Sequence, residues 1–181
     1  QVTHLVPRPL RFEVDERLNG FGEVYQPLDL AGLEEMVATL EQAVSAIAGA
    51  HHIDLFATGI TSWFMAQDLQ ARLFRLGLSA NAWVDYHLQR VAAAAQDARG
   101  VVLVVSHVGG LPSMLEAVDI ARRQGARVVS LTQPGTPLAD RTDVLLALSV
   151  PDDAVMHVGI DVYMTHLTAL EILTVLVAQR C

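Results

Sequence analysis

The chain has 181 residues, 52% of them hydrophobic and 18% charged, and its formal charge is −8 with arginine as every one of its 12 basic residues. That length suits one domain able to bury roughly 70% of its unfolded surface. An acidic chain with no basic run has no means of gripping nucleic acid directly by phosphate neutralisation, and its apolar runs break before the roughly 18 residues that a membrane-spanning helix needs.

The start is polar and carries two prolines, so no signal peptide is expected. The lone cysteine, Cys181, excludes an internal disulfide framework and a Cys-based zinc site. It suits a reducing cytoplasm. Residues 1–28 mix prolines, glycines and charges and read as a linker or arm ahead of a domain over 29–181. Because the first residue is Gln1, the expectation is a piece of something longer.

Asp29 is placed to cap a first helix, along which Leu30, Leu33, Met36, Val37, Leu40, Val44 and Ile47 keep helical spacing up to Gly49. His52–Ala57 reads as a first strand. Ser62–Leu76 is predicted as a helix with Phe64, Leu69, Leu73 and Leu76 near one face and Gly77 as its stop. A short strand, Ala80–Val84, and a helix, Tyr86–Ala98, follow. Val101–Ser106 is a third strand. Pro112 then opens a helix that runs to Gln124, proline being suited to a first turn. Its Asp119 has ion-pair spacing to Arg122 and Arg123. Arg127–Thr132 is a fourth strand, the QPGTPLAD stretch a turn with a short helix, and Val144–Val150 a fifth strand. After the PDDAVMHVG loop, Ile160–Gln179 reads as a long helix apolar on most sides, which predicts burial and a share in a subunit interface.

Alternating short strands and helices, with continuous valine- and leucine-rich strands, predict an α/β fold: a doubly wound, five-stranded parallel sheet with helices on both faces. Ligands in such folds bind beyond the carboxyl ends of the strands. The segments of interest are therefore TGITS, the VDYH region, SHVGGLPS and TQPGT. Neither GxGxxG after the first strand nor GxxxxGKS/T is present, and Ser106 does not sit in a GxSxG elbow. A strand-to-helix turn still offers backbone N–H groups to an anion, typically a phosphate, at the positive end of the helix.

The order of these motifs resembles the SIS (sugar isomerase) domain, a flavodoxin-like phosphosugar-binding fold. Over roughly residues 30–180 the chain is similar, more narrowly, to the C-terminal effector domain of RpiR-type bacterial transcription regulators. The resemblance rests on TGITSWFMAQDLQARLFRLGL, on Asp85-Tyr86-His87 with Gln89, on Ser106-His107-Val108-Gly109-Gly110-Leu111, and on LTQPGTPLADRTD. It implies a ligand site drawn from Thr58, Thr61, Ser62, Asp85, His87, Ser106, His107, Gly109, Gly110, Ser113 and Thr132.

The departures are as informative. Thr58 and Ile60 stand where the family has glycine, and Val108 and Leu111 where it has serine and threonine. A hydroxyl bond to a charged phosphate is worth about 1.5–3 kcal/mol. Losing two costs roughly 3–6 kcal/mol, or about two to four decades of affinity.

Simpler roles stand beside each ligand role. Thr61, Ser62 and Ser113 could cap helices, and Asp85 could do the same. Trp63 could narrow the pocket. Asp85 and His87 lack a third ligand for a metal, and neither a metal nor another cofactor is expected.

The resemblance implies an effector-sensing and dimerising domain for a phosphosugar or sugar acid, cytoplasmic, homodimeric or a higher homo-oligomer. DNA would be reached through a helix-turn-helix domain ahead of residue 1. Two alternatives remain: an aldose–ketose sugar-phosphate isomerase with acid–base groups among Glu116, His157, His166 and Glu171, and a structural dimerisation module with a vestigial pocket.

Overall fold

A computed structural model describes residues 30–149 and 161–181. The predicted arm over 1–28, the Asp29 cap, His157 and the end of the predicted fifth strand at Val150 lie outside the described residues.

The described elements are α1 (Leu30–Ala48), β1 (His52–Ala57), α2 (Ile60–Arg75), β2 (Ala80–Trp83), α3 (Tyr86–Ala95), β3 (Gly100–Val105), α4 (Pro112–Arg123), β4 (Arg127–Thr132), a 3-10 turn (Ala139–Arg141), β5 (Val144–Ala147) and α5 (Asp161–Ala178). All strands are parallel, in the order β2-β1-β3-β4-β5. This is the predicted doubly wound sheet.

Side chains on a strand alternate between faces, so each central strand supplies two cores. Ile53, Leu55, Val101, Leu103, Val105, Val129 and Leu131 pack with α1, α2 and α5. Phe56, Val102, Val104 and Val128 pack with α3 and α4, where Met114, Ala117, Val118 and Ala121 form the expected stripe. Burial on both faces explains why these strands lack polar alternation.

Three details differ from the sequence expectations. Phe64 points outward at 63% exposed; the buried face of α2 is Met65, Ala66, Leu69 and Leu73. Asp119 pairs with Arg141 at 3.1 Å, across to the 3-10 turn. Helix α5 buries Leu170, Leu173 and Val177, yet Met164, Ile172 and Val175 remain outward.

The helix after β2 ends earlier than predicted because Gln96 leaves it in an extended conformation. Its side chain donates to Asp54 Oδ2 at 2.6 Å. The indole N–H of Trp83 donates to Asp54 Oδ1 at 2.6 Å, and His52 Nε2 lies 3.2 Å from the same oxygen. This buried carboxyl thus accepts from two donors, one on β2 and one just after α3, as a buried polar group requires.

Candidate functional site

The strand order reverses direction between β1 and β3. In an open parallel sheet a crevice forms at such a reversal, beyond the carboxyl ends of the two strands. β1 ends at Ala57 and β3 at Val105, so the segments Thr58–Ser62 and Ser106–Ser113 emerge side by side there.

Both segments run into helices with no side-chain cap. Gly59, at φ 82°, is the N-cap of α2, and Leu111 is the N-cap of α4; neither makes a capping bond. Thr61 and Ser62 are the second and third residues of α2, and Ser113 is the second of α4. None of the three takes the capping role considered for it. A helix's first-turn N–H groups lack intrahelical partners, and they carry the positive end of the dipole. Here two such ends open at one crevice, with three hydroxyls in the same two turns. Thr61 is exposed; Thr58, Ser62 and Ser113 are half-buried.

The loop after β3 is held rigidly. Ser106 donates its backbone N–H to Leu131 O at 3.1 Å and accepts the Gly109 N–H on its Oγ at 3.2 Å. Gly109 adopts φ 58°. A Cβ there would meet Thr132 Oγ1 and Thr136 Oγ1, each at 2.5 Å. The Gly109 carbonyl accepts from Leu138 N at 2.9 Å, and Thr132 Oγ1 donates to His107 O at 3.4 Å. Thr136 Oγ1 donates to Gln133 O at 2.9 Å and accepts from Ala139 N at 3.2 Å. The β3–α4 loop is therefore stitched to the segment after β4. Ser106 and Thr132 shape the loop with their hydroxyls. Val108, 74% exposed, and Gly110 lie at its surface.

Asp85 and His87 sit one strand further out, past the end of β2, and both are exposed. Asp85 caps α3, accepting from Leu88 N at 2.9 Å. Gln89 is the buried member of that motif. Its Nε2 donates to Ala57 O at 3.0 Å and to Trp83 O at 2.8 Å, tying the ends of β1 and β2 together.

His107 meets α5. Its ring stands edge-on to His166, with centroids 5.6 Å apart and planes at 71°. His166 is 2% exposed, and its Nδ1 lies 2.8 Å from Val162 O. Burial pushes its proton affinity below the usual imidazole range, and nearby His107 pushes the same way, against the backbone bond. Of the other acid–base candidates, Glu116 pairs with Arg90 at 3.0 Å and Glu171 pairs with Arg72, both exposed.

Two clefts among the described residues lie at the opposite, amino end of the sheet. One, of about 380 Å³, includes His51, His52, Asp54 and Gln96 in its lining; the other, of about 460 Å³, includes Arg122, Arg127 and Asp143. Neither contains a predicted site residue. Among the described residues no group of three or more His, Cys, Asp or Glu side chains is placed to hold a metal, and no helix is long and apolar enough to cross a membrane.

Sequence reasoning missed Thr136, which closes around Gly109, and gave Gln89 no role. The bond from Gln89 to Ala57 and the approach of Thr136 to Gly109 join distant segments and leave no local signal.

Known proteins supply the comparison. The family model for the SIS domain matches residues 46–176. A protein of Paraburkholderia xenovorans named bifunctional protein glk is 32% identical over 141 residues, covering 78% of this chain and 22% of that protein. The HTH-type transcriptional regulator HexR of Pseudomonas aeruginosa is 29% identical over 141 residues, covering 78% of this chain and 49% of the regulator. The chain thus spans from about a fifth to about half of these relatives. Among solved structures, Vibrio vulnificus NanR complexed with ManNAc-6P shares the fold at a TM-score of 0.67 and 23% identity, over 83% of this chain and 58% of NanR. A Methanococcus jannaschii protein, MJ1247, whose structure was described as inferring 3-hexulose-6-phosphate isomerase function, shares it at 0.67 and 16% identity, over 81% of this chain and 80% of that protein.

Proposed function

The chain belongs to the SIS domain family, and from that membership we propose that it is the effector-binding part of a cytoplasmic bacterial transcription regulator. Its ligand is a phosphosugar or sugar acid held at the β1–β3 crevice. The observation that carries this reading is the meeting of two uncapped helix starts, at Gly59 and Leu111, beside Thr61, Ser62 and Ser113. The regulator relative HexR matches over this same part of the chain, and NanR, of like fold, was solved with a phosphosugar.

The phosphate grip is thin. Val108 and Leu111 replace hydroxyls, and none of the proposed site residues is an arginine. Backbone N–H groups and the three remaining hydroxyls carry the load.

Regulation follows by population shift. A ligand that favours one arrangement of two copies biases the spacing of attached DNA readers by its differential affinity. The outward Met164, Ile172 and Val175 of α5 support self-association, and light scattering on the purified chain tests it.

A thermal-shift screen of phosphosugars and sugar acids tests the main reading. At 100 times Kd a ligand adds about 2.7 kcal/mol, or roughly 5–11 °C of Tm for a domain of this size. Ser62→Ala with Ser113→Ala should remove most of that rise. No rise with any member of the panel sinks the sensor and leaves the structural module. The isomerase reading draws support from fold likeness to MJ1247 and to other structures described as phosphosugar isomerases; turnover of a bound ligand would establish it.

A further inference from the structure

His166 is a buried side chain whose bonding is half complete. Nδ1 lies against the Val162 carbonyl, which can only accept, so Nδ1 carries the proton. Burial disfavours the imidazolium. The ring is then neutral, and Nε2 on its opposite edge is a lone-pair acceptor. That Nε2 is buried and makes no hydrogen bond. Such an orphan is uncommon in folded proteins and calls for an explanation.

Its position supplies one. His166 lies in the second turn of α5, edge-on to His107. His107 belongs to the loop that walls the crevice, and the bonds from Thr132 and Gln133 to its carbonyl fix that loop. The orphaned acceptor is therefore carried by α5 on a ring that packs against His107, a residue of the loop beside the candidate ligand site.

We propose that His166 Nε2 is a specificity-determining group of the site, accepting a hydrogen bond from a ligand hydroxyl. This rests on the crevice being the sugar-derivative site. The chemistry selects the ligand group. A lone pair repels a carboxylate or phosphate oxygen, so His166 does not hold the anion. A hydroxyl donates to it, so His166 reads the polyol part while the helix ends at Gly59 and Leu111 face the charge. The ligand class is a hydroxylated phosphate ester or acid, recognised at two separate points.

The test uses the full chain with two probes, glucose 6-phosphate and inorganic phosphate, read by calorimetry and by imidazole ¹⁵N NMR. Glucose 6-phosphate should shift the His166 Nε2 resonance, and inorganic phosphate should not. His166→Leu should lower affinity for glucose 6-phosphate by about 5- to 150-fold, as expected for an acceptor left unmatched, and leave phosphate affinity unchanged. His166→Gln, which retains an acceptor, should recover most of the loss. His166→Leu should also fold, because an orphaned polar group is being replaced by an apolar one. If glucose 6-phosphate binds but neither the Nε2 signal nor the His166→Leu affinity changes, the proposal is overturned and the crevice reading stands. Equal loss for both probes also overturns it, since that marks a structural role. If neither probe binds, the crevice reading itself fails for this ligand class and takes the proposal with it.

Discussion

The two adjacent glycines of the β3–α4 loop should behave very differently when given a single methyl group. Gly109 has φ 58°, and a Cβ there meets Thr132 Oγ1 and Thr136 Oγ1 at 2.5 Å and Thr136 Cβ at 2.8 Å. Gly110 has no positive φ, and its nearest neighbour to an added Cβ is Val108 O at 3.8 Å. For Gly109→Ala the left-handed backbone costs about 1–2 kcal/mol. Overpacking against two buried threonines adds about 1–3 kcal/mol. The sum, about 2–5 kcal/mol, lowers Tm by roughly 4–20 °C at 2–4 °C per kcal/mol. Relief would require Thr132 and Thr136 to turn, which breaks the bonds to His107 O, Gln133 O and Ala139 N. Gly110→Ala should stay within about 1 kcal/mol, since open space receives the methyl and only the glycine's unfolded-state entropy changes. Differential scanning calorimetry on the two variants at one pH gives the comparison directly. Equal shifts would refute the argument that this loop is locked by its approach to the segment after β4.

Asp54→Ala leaves the Trp83 and Gln96 donors without their acceptor and should cost about 2–4 kcal/mol in urea titration. A loss below about 1 kcal/mol would mean that water from the adjoining cleft replaces the carboxylate. Asp85→Ala removes only the cap on α3; it should cost about 0.5–2 kcal/mol and leave any ligand affinity unaltered. A loss of affinity would return Asp85 to the site. His166 binds a proton less readily folded than unfolded, so the unfolded chain takes the extra proton. Stability is full above the ordinary histidine value of about 6.5 and falls as pH drops through it, by at most about 1.4 kcal/mol per unit. His166→Gln should flatten that part of the stability profile, and an unchanged slope would deny that the buried ring resists protonation. Val108→Ser with Leu111→Thr should tighten binding of a phosphate-bearing ligand by about 10-fold or more for each hydroxyl that engages. No gain would mean that these positions do not face the phosphate.

The sheet was legible because burial on two sides writes itself into sequence as unbroken apolar runs. β4 occurs at the predicted residues, and β1 likewise. The helix after β1 begins two residues before its predicted start, because the cap is Gly59 by backbone conformation, whereas serine and threonine are the usual capping signals. The end of α3 escaped notice for another reason. The alanines before Gln96 favour helix, but the pull on its side chain comes from Asp54, far away in the chain. Helical spacing alone puts Phe64 on the apolar stripe, because such a stripe counts apolar residues without knowing which face meets the sheet. The candidate site was legible in position and less so in role. Ser106 has the residue type that binds phosphate, yet its hydroxyl serves Gly109 N, a contact set by loop geometry. The orphaned nitrogen of His166 could not be read at all, since tautomer and burial arise only once α5 has packed.

The division between backbone and side chain also explains how such a crevice tolerates its substitutions. An anion site made by helix ends depends on where Gly59 and Leu111 fall, and the sheet order together with the stitched loop fixes both. Replacing hydroxyls by Val108 and Leu111 leaves that framework intact: Val108 lies at the surface, and Leu111 gains contact with the α3–α4 core. The cost falls on affinity and hardly at all on stability. The chain's charge adds to it. With −8 overall, long-range attraction of an anionic ligand is absent. Arg72, Arg90, Arg99, Arg141 and Arg180 are all committed to carboxylates at other surfaces. On the proposed reading, selectivity comes from short-range groups that read shape and hydroxyls more than charge. A sensor of that kind would gain, because weak anion binding would let abundant inorganic phosphate pass while a polyol that satisfies a second point is retained.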